Sequence, residues 1–276
     1  INGVQIRVKS FDPSTQSKYF RYSYEETSRI TAPKWVPDEL KLVDFPRLCS
    51  YFPGFVGYQS IEVIPKINDN TKICYKTQQS NNILITSTTT QTNNRVDFPV
   101  RFISSQDYTI GERYSILVKQ FSLNNISYHF YDLLLKNSSS NSILSQMQPG
   151  FIYGNISSNT NSDEKVLGLF EVCSVNTKRI FFNYDDIYPG TAKPPYFINC
   201  DGIDYDGLSF DFRDNPRELG TNDTSVICSP PPSNGFGPGV DLRRAIERKT
   251  LLFYREILPF YNMVEPMCGD CTTIGS

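Results

Sequence analysis

Apolar and polar residues alternate with a period of two through much of the first two thirds of the chain. Val4-Gln-Ile-Arg-Val8 shows it in miniature, and Tyr114-Ser-Ile-Leu-Val-Lys-Gln-Phe121 repeats it at greater length. In the latter run Ile116, Val118 and Gln120 fall on one face and Leu117, Lys119 and Phe121 on the other, the signature of a half-buried strand. The same rhythm predicts strands over 4–8, 19–30, 72–77, 83–88, 96–103, 114–121 and 166–182, the last long enough for two. Short strands at this spacing, separated by polar turns, predict a mainly β fold. The expected architecture is an immunoglobulin- or fibronectin-III-like β-sandwich with an inserted helix and an irregular, disulfide-containing C-terminal region.

Three stretches depart from the rhythm. Ile126, Phe130, Leu133 and Leu134 recur at helical spacing behind Ser122, a suitable N-cap, and predict a helix over 124–136 whose apolar stripe packs on the sandwich. Leu242, Ala245, Ile246 and Phe253 share a helical face after the Pro- and Gly-rich run from Pro230 to Gly239, which predicts a short helix over 241–254. Between Ala32 and Asn68 the pattern is irregular and rich in Pro and aromatics, as in a long ordered loop. The expected domains are therefore 1–183, a sandwich carrying the aromatic loop 32–68, and 184–276, a Cys-containing irregular extension.

Composition narrows the function classes. Of 276 residues 39% are hydrophobic, enough for a core, while only 20% are charged and the net charge is −2. That balance offers no electrostatic attraction for a phosphate backbone, so nucleic acid is not an expected partner. No apolar run approaches the ~20 residues needed for a membrane-spanning helix. The chain opens on Ile1 without a leader and ends in a loop after Cys271, which leads us to expect a piece of a longer exported protein.

Seven cysteines are many for a reduced cytosolic β protein. Cys200, Cys228, Cys268 and Cys271 gather near the C-terminus, where disulfides are expected; a zinc site using the Cys268-x-x-Cys271 spacing is the rival, and free thiols the third possibility. Cys49 and Cys74 are candidates for a further bridge. Cys173, in a strand-like apolar run, is the expected unpaired thiol.

Catalytic patterns are sparse. His129 is the single histidine and lies inside the expected helix, and there is neither a G-x-S-x-G elbow nor a phosphate-binding glycine loop. No organic cofactor is expected. Asp201, Asp204 and Asp206, spaced by glycines, are candidate calcium ligands because hard cations gather closely spaced carboxylate oxygens. Trp35, Phe52, Phe55 and Tyr58 are the candidate partner contacts, since aromatic anchors dominate interface energetics.

Several pieces, in order, resemble the DUF4249 family of Bacteroidetes outer-membrane lipoproteins. They are Lys18-Tyr-Phe-Arg-Tyr-Ser-Tyr-Glu-Glu26, Ile73-Cys-Tyr-Lys-Thr77 with Ile83 to Thr88, Arg113 to Gln120, and Tyr128 to Leu134. Gln148 to Ile156, Leu167 to Phe181 and Cys268-Gly-Asp-Cys-Thr272 continue the series. Tyr75 and Tyr153 stand where members usually carry Trp and Pro. The resemblance implies a non-catalytic subunit on the extracellular face of the outer membrane, lipid-anchored through its parent protein and partnered with a TonB-dependent β-barrel transporter or a larger outer-membrane complex. The alternatives of another class are a carbohydrate- or peptide-active surface enzyme and a structural adhesin-like module.

Overall fold

The computed structural model describes residues 2–14, 16–44, 59–67, 70–91, 93–139, 154–161, 163–166, 168–206, 245–257 and 260–275. They belong to two compact units: Ile1–Ser28 with Thr77–Pro195, and Arg29–Lys76 with Tyr196–Ser276. The second unit thus takes in residues 29–76 as well as the C-terminal region, so the stretch expected as a loop of the sandwich contributes to it.

The first unit is a β-sandwich, as the alternation predicts. One layer pairs β1 (Gly3–Phe11) antiparallel with β7 (Arg95–Ser104). The other contains β2 (Tyr19–Thr31), β6 (Leu84–Ser87), β8 (Arg113–Leu123) and β9 (Ser174–Asn183), with β5 (Ile73–Gln79) beside β2. Inward residues of both layers form one cluster: Ile6 of β1, Val96, Val100 and Ile103 of β7, Phe20 and Tyr22 of β2, and Tyr114 and Ile116 of β8. These positions were legible because period-two alternation sends every second side chain to one face.

A bulge adds something the rhythm does not announce. The β1–β7 register slips between Ile6 and Arg7, so Val100 is an extra residue on β7 and Arg101 faces Ile6. An extra residue re-aims the side chains that follow it. The Arg101 guanidinium consequently reaches Glu26, with Nε donating to Oε2 at 3.0 Å, and the buried Tyr114 hydroxyl donates to the same oxygen at 2.6 Å. A carboxylate in a sandwich interior is tolerable only with such partners.

Helix α1 (Asn125–Ser139) follows β8. Its cap is Asn124, whose Oδ1 accepts from the Ser127 amide at 2.8 Å, and not Ser122, which pairs within β8. The packed face also differs from the expected stripe. Ser127 is buried and Tyr128 stacks near Tyr19, whereas Ile126 is 66% and Leu133 47% exposed. Residues 174–183 form one strand, and no strand precedes them over 168–173. β9 continues directly into a four-residue helix, α2 (Tyr184–Ile187).

In the second unit, β3 (Asp38–Asp44) and β4 (Gln59–Pro65) pair antiparallel, so the aromatic stretch is strand at both ends where an irregular loop was expected. β10 (Ile203–Asp206), β12 (Phe260–Val264) and β11 (Leu252–Ile257) form a three-stranded sheet in that order. The helix expected over 241–254 is confined, among the described residues, to a single turn at 245–248, because Leu252 and Phe253 pair with β12 instead. Thr and β-branched or aromatic-rich runs yield to such pairing when a neighbouring strand is available. A one-turn helix α3 (Pro266–Gly269) follows β12, with the apolar side chains of Leu40, Phe253 and Met263 forming one core and Ala32, Cys74 and Cys271 a second.

Among the described residues, two disulfides hold this unit. Cys74 joins Cys271 and Cys200 joins Cys268, each with Cα atoms 5.7 Å apart. Cys74 therefore pairs with Cys271 and not with Cys49, and both cysteines of the Cys268-x-x-Cys271 motif are in disulfides, not in a thiolate metal set. Cys173 is a free thiol. Cys49 and Cys228 lie outside the described residues. Among those residues no helix is long and apolar enough to cross a membrane.

Candidate interaction surface

On the face of the β2–β8–β9 sheet turned away from the sandwich core, Arg21, Phe121 and Val175 lie in cross-strand register. Arg21 organises this end of the face. Its guanidinium carbon lies 4.2 Å from the centroid of the Phe121 ring and 4.9 Å from that of Tyr131 on α1, while Nη2 bonds Glu171 Oε1 at 2.9 Å. The Tyr131 hydroxyl donates to the same oxygen at 3.0 Å. Stacked cationic and hydrogen-bonded contacts of this kind are favourable when partly desolvated. Burial raises the Tyr131 hydroxyl's pKa, opposed by Arg21 and reinforced by its bond to Glu171, so it remains a donor.

This clamp fixes what is left outside. With Tyr131 and Ser127 turned to the sheet, Ile126, Phe130 and Leu133, at i, i+4 and i+7, share the opposite side of α1. Glu171 is drawn inward, and its neighbours Phe170 and Val172 are left 72% and 84% exposed. Asn155 holds the Phe170 backbone from both sides, its Nδ2 donating to the Phe170 carbonyl at 2.7 Å and its Oδ1 accepting from the Phe170 amide at 2.8 Å. The aromatic ring is thus presented on an anchored backbone. Further along, Val175 and Phe181 on the same outer face of β9 are 47% and 58% exposed, separated by Arg179, whose Nη2 bonds Glu25 at 2.8 Å and Nη1 bonds Ser115 at 3.1 Å.

Single exposed apolar residues are ordinary; here several stand beside side chains fixed by the Arg21 and Arg179 contacts. Each such side chain contributes about 1.5–3 kcal/mol when fully buried. Cys173 lies next to this clamp, its thiol pushed up by burial and by the Glu171 carboxylate, opposed by Arg21.

The described residues expected to form sites have the following surroundings. Trp35 packs against Ala32, Cys74 and Cys271 and donates from Nε1 to Thr71 Oγ1 at 3.0 Å, so its indole serves its own unit. Phe52, Phe55 and Tyr58 lie outside the described residues. Asp201 accepts from Asn199 Nδ2 at 2.7 Å and Asp204 from Asn262 Nδ2 at 2.6 Å. Gly202 makes the second contact possible, since a Cβ there would lie 1.9 Å from Asn262 Oδ1. Nothing is described of the Asp206 side chain, and no three acidic, Cys or His side chains converge among the described residues.

Sequence inspection missed the α1 surface because helical periodicity identifies an apolar stripe without saying which side is covered. A signal was present in Tyr128 and Tyr131, amphipathic rings on the neighbouring face. Glu26 was likewise detectable, as a charge at a position where the rhythm of Phe20, Tyr22 and Tyr24 calls for an apolar residue.

A family model described as a domain of unknown function, DUF4249, matches residues 1–179. No curated protein and no solved structure matches.

Proposed function

We propose, from the premise that the chain belongs to the DUF4249 family, that it is a non-catalytic binding subunit at the outer-membrane surface, accessory to a TonB-dependent β-barrel transporter or a larger outer-membrane complex. The observation that carries this reading is the apolar side of α1, with Phe170 and Val172, held toward solvent by the Arg21–Tyr131–Glu171 clamp. A monomeric module working alone gains nothing from that arrangement, whereas a protein partner recovers the burial free energy. The disulfides support an oxidising compartment, consistent with an exported protein. Attachment to the membrane is by a lipid anchor of the parent protein in this proposal.

The test is gentle detergent extraction of the native protein followed by identification of what travels with it. A large membrane β-barrel is expected to copurify, and Ile126→Asp together with Leu133→Asp is expected to release it while the disulfides and circular dichroism spectrum stay intact. A native protein that elutes alone, or a complex indifferent to both substitutions, overturns the reading.

A further inference from the structure

The second unit contains a cavity of about 330 Å³. Its floor is apolar, with Leu40, Phe253 and Met263, all buried, below the more accessible Ile246, Leu251 and Leu252. Two lysines and two carboxylates, Lys66 and Lys249, Glu39 and Asp270, also line it, with Ile67 and Thr71. Both charge signs thus meet over one apolar floor. Ligand pockets typically measure about 300–1,000 Å³, so this one suits one or two amino-acid residues better than a long oligomer.

Each wall is held by backbone. The Lys66 amide bonds the Pro37 carbonyl at 2.8 Å, which carries the end of β4 against the start of β3. Asp270 is positioned by its own turn, Oδ1 accepting from the Thr272 amide at 2.8 Å and from its hydroxyl at 2.6 Å. The Cys271 amide donates to the Thr71 carbonyl at 3.0 Å, and Cys271 is disulfide-bonded to Cys74, so the Asp270 side of the cavity is tied covalently to the strand after Thr71. Lys249 occupies a left-handed backbone conformation, φ 52°, at the close of the turn formed by 245–248. Burial lowers the Lys66 pKa, against the opposing fields of Asp270, Glu39 and Asp38. A partly desolvated ammonium strengthens any contact with an anion because neighbouring water screens it less.

From this geometry we propose that the cavity is a binding site for a zwitterionic ligand with an apolar side chain, an apolar amino acid or dipeptide with free termini. The ligand carboxylate lies against Lys66 and Lys249, its ammonium against Glu39 and Asp270, and its side chain on Leu40, Phe253 and Met263. A ligand of one charge sign leaves two rim groups of its own sign facing it. A purely apolar ligand desolvates these charged groups without giving any of them a new partner, a cost that offsets burial on the floor. The site lies in the second unit and shares no residue with the α1 surface, so its success or failure is independent of the partner reading above.

Isothermal titration of the intact, oxidised chain with Leu-Leu tests this. Saturable binding is expected, with N-acetyl-Leu-Leu and Leu-Leu amide each at least tenfold weaker and the doubly blocked dipeptide weaker still. Lys66→Met is expected to weaken Leu-Leu at least tenfold. Lys249→Gly provides the control for folding, since glycine accepts the positive φ at that position while removing the charge; it too is expected to weaken binding severalfold with an unchanged melting temperature. Absence of saturable heat at millimolar Leu-Leu, equal affinity for free and doubly blocked dipeptides, or Leu-Leu affinity unchanged in the folded Lys249→Gly protein overturns the proposal.

Discussion

The two units reach stability by different routes. In the first, two sheets contribute buried residues to one cluster, from Ile6 and Val96 on one side to Tyr22 and Ile116 on the other, and its one described cysteine, Cys173, is free. In the second, the described clusters are small, three buried residues each, and two disulfides join positions 197 and 68 residues apart. Cross-links that restrict the unfolded chain stabilise the second unit beside these clusters, while the continuous core of the sandwich does so in the first.

The sharpest way to break that contrast is to remove a cross-link. Cys200→Ser with Cys268→Ser is expected to cost about 2–5 kcal/mol of stability in the second unit. Hydrogen exchange should show amides of β10–β12 losing protection while those of β8 keep theirs; equal loss in both units erases the distinction. The converse change is Ile116→Ala, which empties a fully buried position. It is expected to cost about 2–5 kcal/mol, with protection lost along β8 and β2 and retained in β10–β12.

A smaller effect probes the polar interior of the first unit. Tyr114→Phe withdraws the hydroxyl from buried Glu26 and is expected to cost about 1–3 kcal/mol, read from urea unfolding. Its pH dependence follows from the direction of the shifts. Burial raises the Tyr114 phenol, aided by Glu26 and opposed by Arg101, and burial raises Tyr22 against a small opposing bond from Gln120. The unfolded chain releases these protons near pH 10 while the folded chain still holds them. The stabilisation is therefore complete below about pH 10 and declines as pH rises beyond it. The melting temperature of the native protein should fall more steeply from pH 9.5 to 11 than that of the Tyr22→Phe, Tyr114→Phe variant.

The least effect is expected at the rim of the same sandwich. Arg7 Nε meets Asp97 Oδ1 at 2.7 Å, but the two side chains are 42% and 52% exposed. Asp97→Asn should change stability by less than about 1 kcal/mol and be further muted by salt. A larger loss would place more of the first unit's stability at its surface than its core suggests.

Much of the sandwich was legible because alternation is a local property: β1, β2, β7 and β8 each show it over enough residues to fix which side faces inward. Helix α1 was legible in position, since 124–136 was expected and Asn125–Ser139 forms, yet of its expected stripe Ile126 and Leu133 are exposed while Phe130 and Leu134 are half-buried. The clamp that decides it joins Arg21, Tyr131 and Glu171 across 150 residues of chain, a separation at which no periodic pattern carries information. Trp35, an expected contact aromatic, is half-buried against Ala32, Cys74 and Cys271, an arrangement likewise set by distant pairing.

Residue order alone thus pointed to the β class, the sheet faces of the first unit, disulfides among the C-terminal cysteines and Cys173 as an unpaired thiol. Tertiary structure decided the partners: Cys74 with Cys271, Arg101 with Glu26 through a bulge, and the side of α1 that meets solvent. Alternation and capping depend on neighbours a few bonds away, whereas pairings between distant positions depend on chain closure and packing, which exist only once the whole fold has formed.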